Sequence, residues 1–339
     1  MPVTTLRDVA RLAGVHPGTA SRALNPETEA LVNTATVRRV REAASRLGYR
    51  PNPMARGLKT NRTYTIGVLV PDLTNPLFPP IVRGIEDRLD EAGYTPLIAN
   101  TDNDLERERI DFETMRARQV DGFITATARL SHALLSQLAA SGPPIVLVNR
   151  RLEDGALPAV TVDDRAGIRL AVEHVLALGH RTIAHVGGPQ GLSTGHQRLL
   201  GFQEVARQAG LAPEDTPVRF SEAFTEAEGA RACRALLDER ADVTAIVAGN
   251  DLIALGCYDV LAERGLRCPE DISVVGFNDM PFASRFGPPL TTIRLPHREI
   301  GVQAAGLLLD LLATPEAPAR QVLLPPDLVV RESTAPPGR

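Results

Sequence analysis

Residues 4–25 read TTLRDVARLAGVHPGTASRALN, and this stretch decides how the chain is understood. Thr5 suits the cap of a first helix, with Asp8 three positions on reinforcing the start. Leu6, Val9, Ala10 and Ala13 fall on one face at helical spacing. Gly14 fits the left-handed residue that ends a helix and opens a tight turn. Val15 is the apolar residue of that turn. Pro17 is acceptable only in the first turn of the next helix, where a missing N–H breaks no intrahelical bond. Thr19, Ser21 and Arg22 then form a short polar face of the kind that enters a groove of DNA. The spacing predicts a helix-turn-helix, and a helical hairpin without a DNA partner shares the same grammar.

Charge separates those two readings. Residues 1–62 hold eleven arginines and lysines against four acidic residues, a net +7. The whole chain carries −4, which leaves −11 for the remainder. A basic head on an acidic body is the asymmetry expected where one end meets phosphate. With 339 residues the chain is long enough for two or three domains. No apolar run has the length of a membrane span, and Met1 to Arg11 is polar and charged rather than an apolar signal segment. A cytoplasmic, nucleoid-associated protein is expected. Cys233, Cys257 and Cys268 form no close pair and read as small buried apolar residues, not as disulfides or metal ligands.

The helical head continues from Asn33 to Gly48, where Val37, Val40, Ala44 and Leu47 make one stripe. Residues 50–62 read as a polar linker with a short helical segment over 53–59. From Thr65 onward, short apolar runs alternate with amphipathic helices. The first series places strands at 65–70, 95–99, 121–125 and 144–148. A turn-rich stretch follows, and then strands at 182–186, near 217–220, at 244–248 and at 272–277. A helix over 297–312 and a strand near 320–324 close the chain. Continuous apolar strands belong to parallel sheets covered on both faces. Two such series predict two doubly wound α/β lobes after an all-α helix-turn-helix head, with ligand held at the strand ends between the lobes.

Chemistry-bearing strings are few. Gly191-Leu192-Ser193-Thr194-Gly195 matches the G-x-S-x-G string, but the preceding strand ends several residues too early for a nucleophile elbow. The same turn lacks a Walker ending and reads as a ligand-facing loop, with Thr194 and Arg198 entering the next helix. His174, His180 and His185 fall on different elements, so structural roles are expected and no metal or cofactor is. Asp163-Asp164 begins a helix, where carboxylates favour the positive end of the dipole, and a functional role is weighed equally. Asn250-Asp251 starts a helix at a cleft edge, which points Asn250 toward a ligand. Phe78 and Phe224 are placed to stack on a ligand or to pack in a core.

These motifs together resemble the lactose-repressor/galactose-repressor family of bacterial transcription regulators, over nearly the whole length. The resemblance rests on TLRDVARLAGV and TASRALN in the head, Gly48-Tyr49-Arg50-Pro51-Asn52, and Ala55-Arg56-Gly57-Leu58 in the linker. In the body it rests on Ile66-Gly67-Val68, Asn75-Pro76-Leu77-Phe78, Gly179-His180-Arg181-Thr182-Ile183 and Gly187-Gly188-Pro189 through Phe202. It continues through Asn250-Asp251, the run from Asp271 to Asp279, and Pro289-Leu290-Thr291-Thr292-Ile293. The resemblance implies a non-enzymatic homodimer that reads a near-palindromic operator, a hinge helix in the minor groove with Leu58 as wedge, and a body like the periplasmic sugar-binding proteins.

It implies DNA contacts from Thr5, Thr19, Ser21, Arg22 and Asn25, and from hinge residues Asn52, Met54, Ala55, Leu58 and Lys59. It implies effector contacts from Leu77, Phe78, Asn149, Leu192, Thr194, Arg198, Phe224, Asn250 and Asn278, with Arg198 holding two ligand oxygens in its fork. The implied division is 1–49 head, 50–62 hinge and 63–339 body. Its N-lobe takes about 63–161 plus 294–322, and its C-lobe about 162–293 plus 323–332. Two departures stand out. Pro17 and Gly18 occupy positions that often read bases, which shifts base reading onto His16, Thr19, Ala20 and Arg22, with Ala20 against a thymine methyl. Asn278 stands where many members have aspartate, and Leu192 where some have arginine, which favours a neutral sugar or polyol over an anionic purine-like or phosphorylated effector without excluding the latter. The rival from another class is a solute-binding protein without a transcriptional role, for which the basic head has no purpose.

Overall fold

The computed structural model describes residues 4–25, 28–49, 62–314 and 316–338. Contacts divide the chain into two compact units, Met1–Tyr64 and Thr65–Arg339.

The first unit is a three-helix head: α1 Leu6–Ala13, α2 Pro17–Ala23 and α3 Thr34–Arg46. Thr5 caps α1 through a reciprocal box: the Asp8 N–H donates to Thr5 Oγ1 at 3.4 Å, and the Thr5 hydroxyl and N–H donate to Asp8 Oδ2 at 2.6 and 3.0 Å. Those bonds hold the Asp8 carboxyl below its usual range. Gly14 adopts φ 64 at the end of α1, as the turn requires. Asn33 caps α3 by accepting from the Thr36 N–H at 2.8 Å. Val9, Ala10, Ala20, Ala23, Val37, Val40 and Ala43 fill the core. Such small side chains let three short helices approach closely, and each buried valine contributes about 1.5 kcal/mol.

The second unit contains two six-stranded sheets. In chain order its strands are β1 Thr65–Val70, β2 Thr95–Asn100, β3 Gly122–Thr125, β4 Ile145–Val148, β5 Ala159–Val162 and β6 Ile183–Gly187. They continue as β7 Val218–Phe220, β8 Ala245–Ala248, β9 Ser273–Asn278, β10 Thr291–Arg294, β11 Gln321–Leu324 and β12 Asp327–Val329. The helices between them are α4 Phe78–Glu91, α5 Leu105–Ala117, α6 Ala133–Ser141, α7 Asp164–Ala177, α8 Ser193–Gln208, α9 Glu226–Glu239, α10 Asp251–Glu263 and α11 His297–Ala313. The N-lobe sheet runs β11-β5-β4-β3-β1-β2 and is parallel throughout. The C-lobe sheet runs β12-β10-β9-β8-β6-β7, with β12 alone antiparallel to its neighbour. Among the described residues, no helix is long and apolar enough to cross a membrane.

The chain passes between lobes three times: between β5 and α7, between β10 and α11, and between β11 and β12. The first pass carries it into the C-lobe, the second back, and the third into the C-lobe again. On the return, α11 packs against α4 with almost no separation. A Cβ on Gly84 would lie 2.0 Å from the Arg298 carbonyl oxygen, and one on Gly301 2.0 Å from that of Ile81. Glycine at both crossing points lets the two backbones touch.

Three strands depart from the expectation. β5 lies in the stretch read as turns, and β10 and β12 were not anticipated as strands at all. They span four, four and three residues, no shorter than β4, β8 and β7, so length alone did not hide them. All three adjoin the passages between lobes. The expected lobe limits shift accordingly: a division at 161/162 would cut β5, and one at 322/323 would cut β11, which pairs with β5 over its whole length.

Candidate functional site

The recognition face of the head comes from α2. His16 caps this helix, its Nδ1 accepting from the Gly18 N–H at 3.1 Å. The imidazole therefore does the work of a serine cap, and the bond fixes the tautomer with hydrogen on Nε2, which faces outward as a donor. His16 and Arg22 are exposed, and Thr19, Ser21 and Asn25 are half-buried. Arg22 Nε leans back onto the Gly18 carbonyl at 3.3 Å. Thr5 is exposed, with its hydroxyl committed to the cap of α1. Ala20 corrects the expectation. Its exposure is 0%, because it lies three positions before Ala23 on the core face of α2. It cannot meet a thymine methyl. Asn52, Met54, Ala55, Leu58 and Lys59 lie outside the described residues.

In the body, the carboxyl ends of strands from both sheets converge on one pocket. Asn75, Leu77 and Phe78 follow β1, and Asn149 and Arg150 follow β4, all in the N-lobe. Thr194 and Arg198 follow β6, Phe224 follows β7, Asn250 follows β8, and Asn278 ends β9, all in the C-lobe. The pocket has a volume of about 20 Å³. It adjoins a chamber of about 380 Å³ with which it shares Asn75, Phe78, Arg150 and Phe224. The chamber lies within the size range of small-molecule sites.

Several of these side chains are set by their own backbone. Asn75 Oδ1 accepts from the Leu77 N–H at 3.1 Å and fixes the entry to α4. Asn250 caps α10, accepting from Ile253 N–H at 2.8 Å. Asn149 and Asn278 hold φ values of 65 and 119, which non-glycine residues rarely adopt. They occupy corresponding ends of a strand in the two lobes, and strain of this kind concentrates at ligand sites. Thr194 Oγ1 and Asn278 Oδ1 are buried without a hydrogen-bond partner. An unpaired buried polar atom is costly, and here both line a pocket, where ligand hydroxyls would satisfy them.

Arg198 is 3% exposed. Its Nε donates to Asp164 Oδ1 at 2.7 Å and its Nη1 to the Gly249 carbonyl at 2.5 Å. The guanidinium carbon lies 3.7 Å from the Phe277 ring centroid, a cation–π arrangement. Two of five N–H groups are thus used internally, which leaves the rest of the fork at the pocket lining. Burial pushes the Asp164 carboxyl up, and Arg198 pulls it back. Asp163 caps α7 by accepting from the Ala166 N–H at 2.9 Å. Asp163 thus serves the helix start, while Asp164 holds Arg198 beside the pocket. Asp251, fully buried, accepts from Thr292 Oγ1 and from the Met280 N–H, and burial pushes it up to about 7.

Two bonds join the lobes beside the pocket. The Arg151 N–H donates to Ser193 Oγ at 3.0 Å, and the Leu130 N–H donates to the Gly191 carbonyl at 3.0 Å. Ser193, first residue of α8, is thus a clasp between lobes, not an elbow nucleophile. Leu192 lines the outer chamber and not the inner pocket. The expectation omitted Asn75 and Arg150. Asn75 stood within the quoted Asn75-Pro76-Leu77-Phe78 motif. Arg150, directly after a buried strand, was detectable as a charge at a parallel strand's carboxyl end. Among the described residues, no group of histidine, cysteine, aspartate or glutamate could hold a metal ion. His174 bonds Thr334, His180 bonds Thr244 and Ala335, and His185 bonds the Val247 carbonyl.

Comparison with known proteins gives a consistent result. Residues 5–52 match the model of bacterial regulatory proteins, lacI family, and residues 172–334 match a periplasmic binding protein-like domain. The chain is 34% identical to the ribose operon repressor of Halalkalibacterium halodurans, over 98% of this chain and 97% of that one. Among solved structures, it resembles the Lac repressor dimer bound to operator and the anti-inducer ONPF, with 29% identity, TM-score 0.87 and coverage of 98% and 100%. It also resembles the complex of transcriptional regulator CelR with cellobiose, with 33% identity, TM-score 0.75 and coverage of 97% and 99%.

Proposed function

Since the chain belongs to the lacI family of bacterial regulatory proteins, we propose that its two units work as a DNA reader and a metabolite sensor joined in one switch. It is a sequence-specific DNA-binding transcriptional repressor whose operator affinity is set by a small molecule held between the two lobes of its body. One observation carries the choice of effector site. Ten residues from six separate segments converge on one pocket, and three of its buried polar atoms, Arg150 Nε, Thr194 Oγ1 and Asn278 Oδ1, await partners. The effector is a sugar or sugar derivative: the aromatic Phe78 and Phe224 suit a ring's apolar face, and Asn149, Thr194, Arg198, Asn250 and Asn278 suit its hydroxyls. The protein has no catalytic role in this reading.

On the DNA side, His16, Thr19, Ser21, Arg22 and Asn25 address the major groove, with Thr5 near the backbone. The linker over 50–62 supplies Asn52, Met54, Ala55, Leu58 and Lys59 to the minor groove, a role that rests on family resemblance. The protein acts as a homodimer on a near-palindromic site, because two-fold symmetry in the operator mirrors that of the reader. Exposed apolar side chains, Ile98 on edge strand β2 and Phe282 at 74% exposure, are available for self-association. Its workplace is the cytoplasm, at the nucleoid. The division into head 1–49, hinge 50–62 and body 63–339 completes the proposal.

The test is selection of bound sequences from a random DNA pool by the purified full chain, with and without a metabolite extract. An enriched palindrome whose recovery changes with the extract supports the switch. No enrichment under either condition refutes it.

A further inference from the structure

Arg150 is the charged group of the cleft that the protein itself leaves unanswered. It is 6% exposed, and its Nε is buried with no hydrogen-bond partner. The contact its side chain makes is long, from Nη1 to Asn103 Oδ1 at 3.4 Å. The same Asn103 receives Arg129 Nη2 on its carbonyl at 2.9 Å, which brings a second arginine to the same wall of the chamber. Among the described residues, neither arginine has a carboxylate within ion-pair distance. Arg198 differs, since Asp164 neutralises it.

The surrounding charges do not supply a counter-ion. The inner pocket has no acidic side chain in its lining. The chamber's three carboxylates are engaged elsewhere: Asp72 with Thr74, Asp102 with Arg107, and Glu222 toward Arg231. Buried Glu108 attracts Arg150 from a distance, but its own contacts are the Thr127 hydroxyl and the His132 imidazole. Burial, with Arg129 and Arg198 nearby, pushes the Arg150 guanidinium down to about 10. An unpaired buried cation costs several kcal/mol in general, so a protein that retains one has a use for it.

We infer that the effector is an acidic sugar, a polyhydroxylated ring or chain bearing one carboxylate or phosphate, whose anionic group docks on Arg150 where the inner pocket meets the outer chamber. This rests on the reading of the cleft as the effector site. The amides at Asn149 and Asn278 then acquire a reason. Carboxylates there would repel the ligand's charge, whereas amides donate and accept toward hydroxyls without opposing it. Neutrality at Asn278, which by itself favours an uncharged sugar, together with that at Asn149 instead leaves the arginine's field intact. Arginine also suits the bidentate recognition of either anion.

The test uses thermal unfolding of the full chain at constant ionic strength, with sodium acetate and sodium phosphate as fragment probes against sodium chloride. Sodium gluconate, galacturonate and glucose 6-phosphate are set against glucose and galactose. Acetate and gluconate report a carboxylate ligand, and phosphate and glucose 6-phosphate a phosphorylated one. The parent is expected to gain stability from at least one anion class, and Arg150→Gln to need about tenfold more of that anion for the same gain. Because phosphate stabilises proteins generally, the difference between parent and variant is the readout. In chloride, Arg150→Gln is expected to unfold no earlier than the parent. No anion-specific gain, an equal gain in Arg150→Gln, or a variant that fails to fold each overturns the inference. A chain that still selects an operator palindrome in that case leaves the regulator reading standing.

Discussion

Arg198 Nε stands 2.7 Å from Asp164 Oδ1, and both side chains are almost wholly buried, at 3% and 9% exposure. Arg198 lies one turn into α8 and Asp164 begins α7, so the ion pair fixes the relation between two C-lobe helices at the cleft. It also turns the unused part of the guanidinium toward the pocket. One buried pair thus joins helix packing to the lining of the pocket.

Breaking that pair from one side is expected to be costly. Arg198→Ala leaves the Asp164 carboxylate buried without its partner, a loss of about 3–5 kcal/mol for pairs of this kind. The effector response should vanish as well. Removing both charges, by Arg198→Ala with Asp164→Ala, is expected to recover part of the stability and none of the response. Denaturant unfolding measures the first quantity and operator affinity with metabolite extract the second. A single variant as stable as the parent contradicts the account.

Ser193→Ala tests the clasp between lobes. The variant leaves the Arg151 N–H without its acceptor while disturbing no core. A hydrogen bond of this kind contributes about 1 kcal/mol, so the closed arrangement should weaken roughly fivefold relative to open ones. Small-angle scattering is expected to show a larger radius of gyration for the variant, with unchanged secondary structure by circular dichroism. An unaltered radius would mean that other contacts, such as Leu130 on Gly191, suffice.

The head was legible almost residue by residue, because caps, turn glycine and apolar spacing are local signals. Thr5, Asp8, Gly14 and Pro17 each mean one thing at one place. The cleft was legible through the family resemblance. Eight of its nine expected residues line the inner pocket, and Leu192 lines the chamber outside it. What escaped depends on long-range contact. Ala20 was assigned to DNA because helix periodicity alone did not show that α3 covers it. Arg150 was open to detection as a charge at a strand's carboxyl end, but its lack of a partner was not, because that depends on neighbours brought from elsewhere in the chain. β5, β10 and β12 escaped because short strands at passages between sheets have pairing partners far away in sequence.

His16 is predicted to be exchangeable with serine as a cap but not with alanine. Both His16 and Ser offer an acceptor to the N–H groups at the start of α2, and alanine offers none. His16→Ala should cost the head about 1 kcal/mol, while His16→Ser should stay near the parent. Hydrogen exchange of α2 amides reads this directly, without DNA. Operator selection with the serine variant then reports what the outward Nε2–H contributes to sequence choice. Equal protection in all three proteins would remove the capping role.

Acid stability should fall through His185. This imidazole is fully buried between its bond to the Val247 carbonyl at 2.8 Å and the Phe202 ring stacked 5.0 Å away, and burial pushes it down to about 4. The unfolded chain binds its proton near 6.5, whereas the folded chain resists until about 4. Above 6.5 the group is neutral in both states and contributes no pH dependence. As pH falls from 6.5 to 4, the unfolded state gains a proton that the folded state refuses, and up to about 3 kcal/mol of stability is lost. Asp251 acts from the other side: its carboxyl is raised from 3.8 to about 7, so its contribution is present below 3.8 and lost as pH rises through 7. His185→Asn keeps an N–H for Val247 but cannot be protonated there. Denaturant unfolding of parent and variant between pH 4 and 8 should give a shallower acid limb in His185→Asn and the same fall on the alkaline side. An unchanged acid limb would assign that limb to His174, His180 and His297, whose imidazoles burial also lowers.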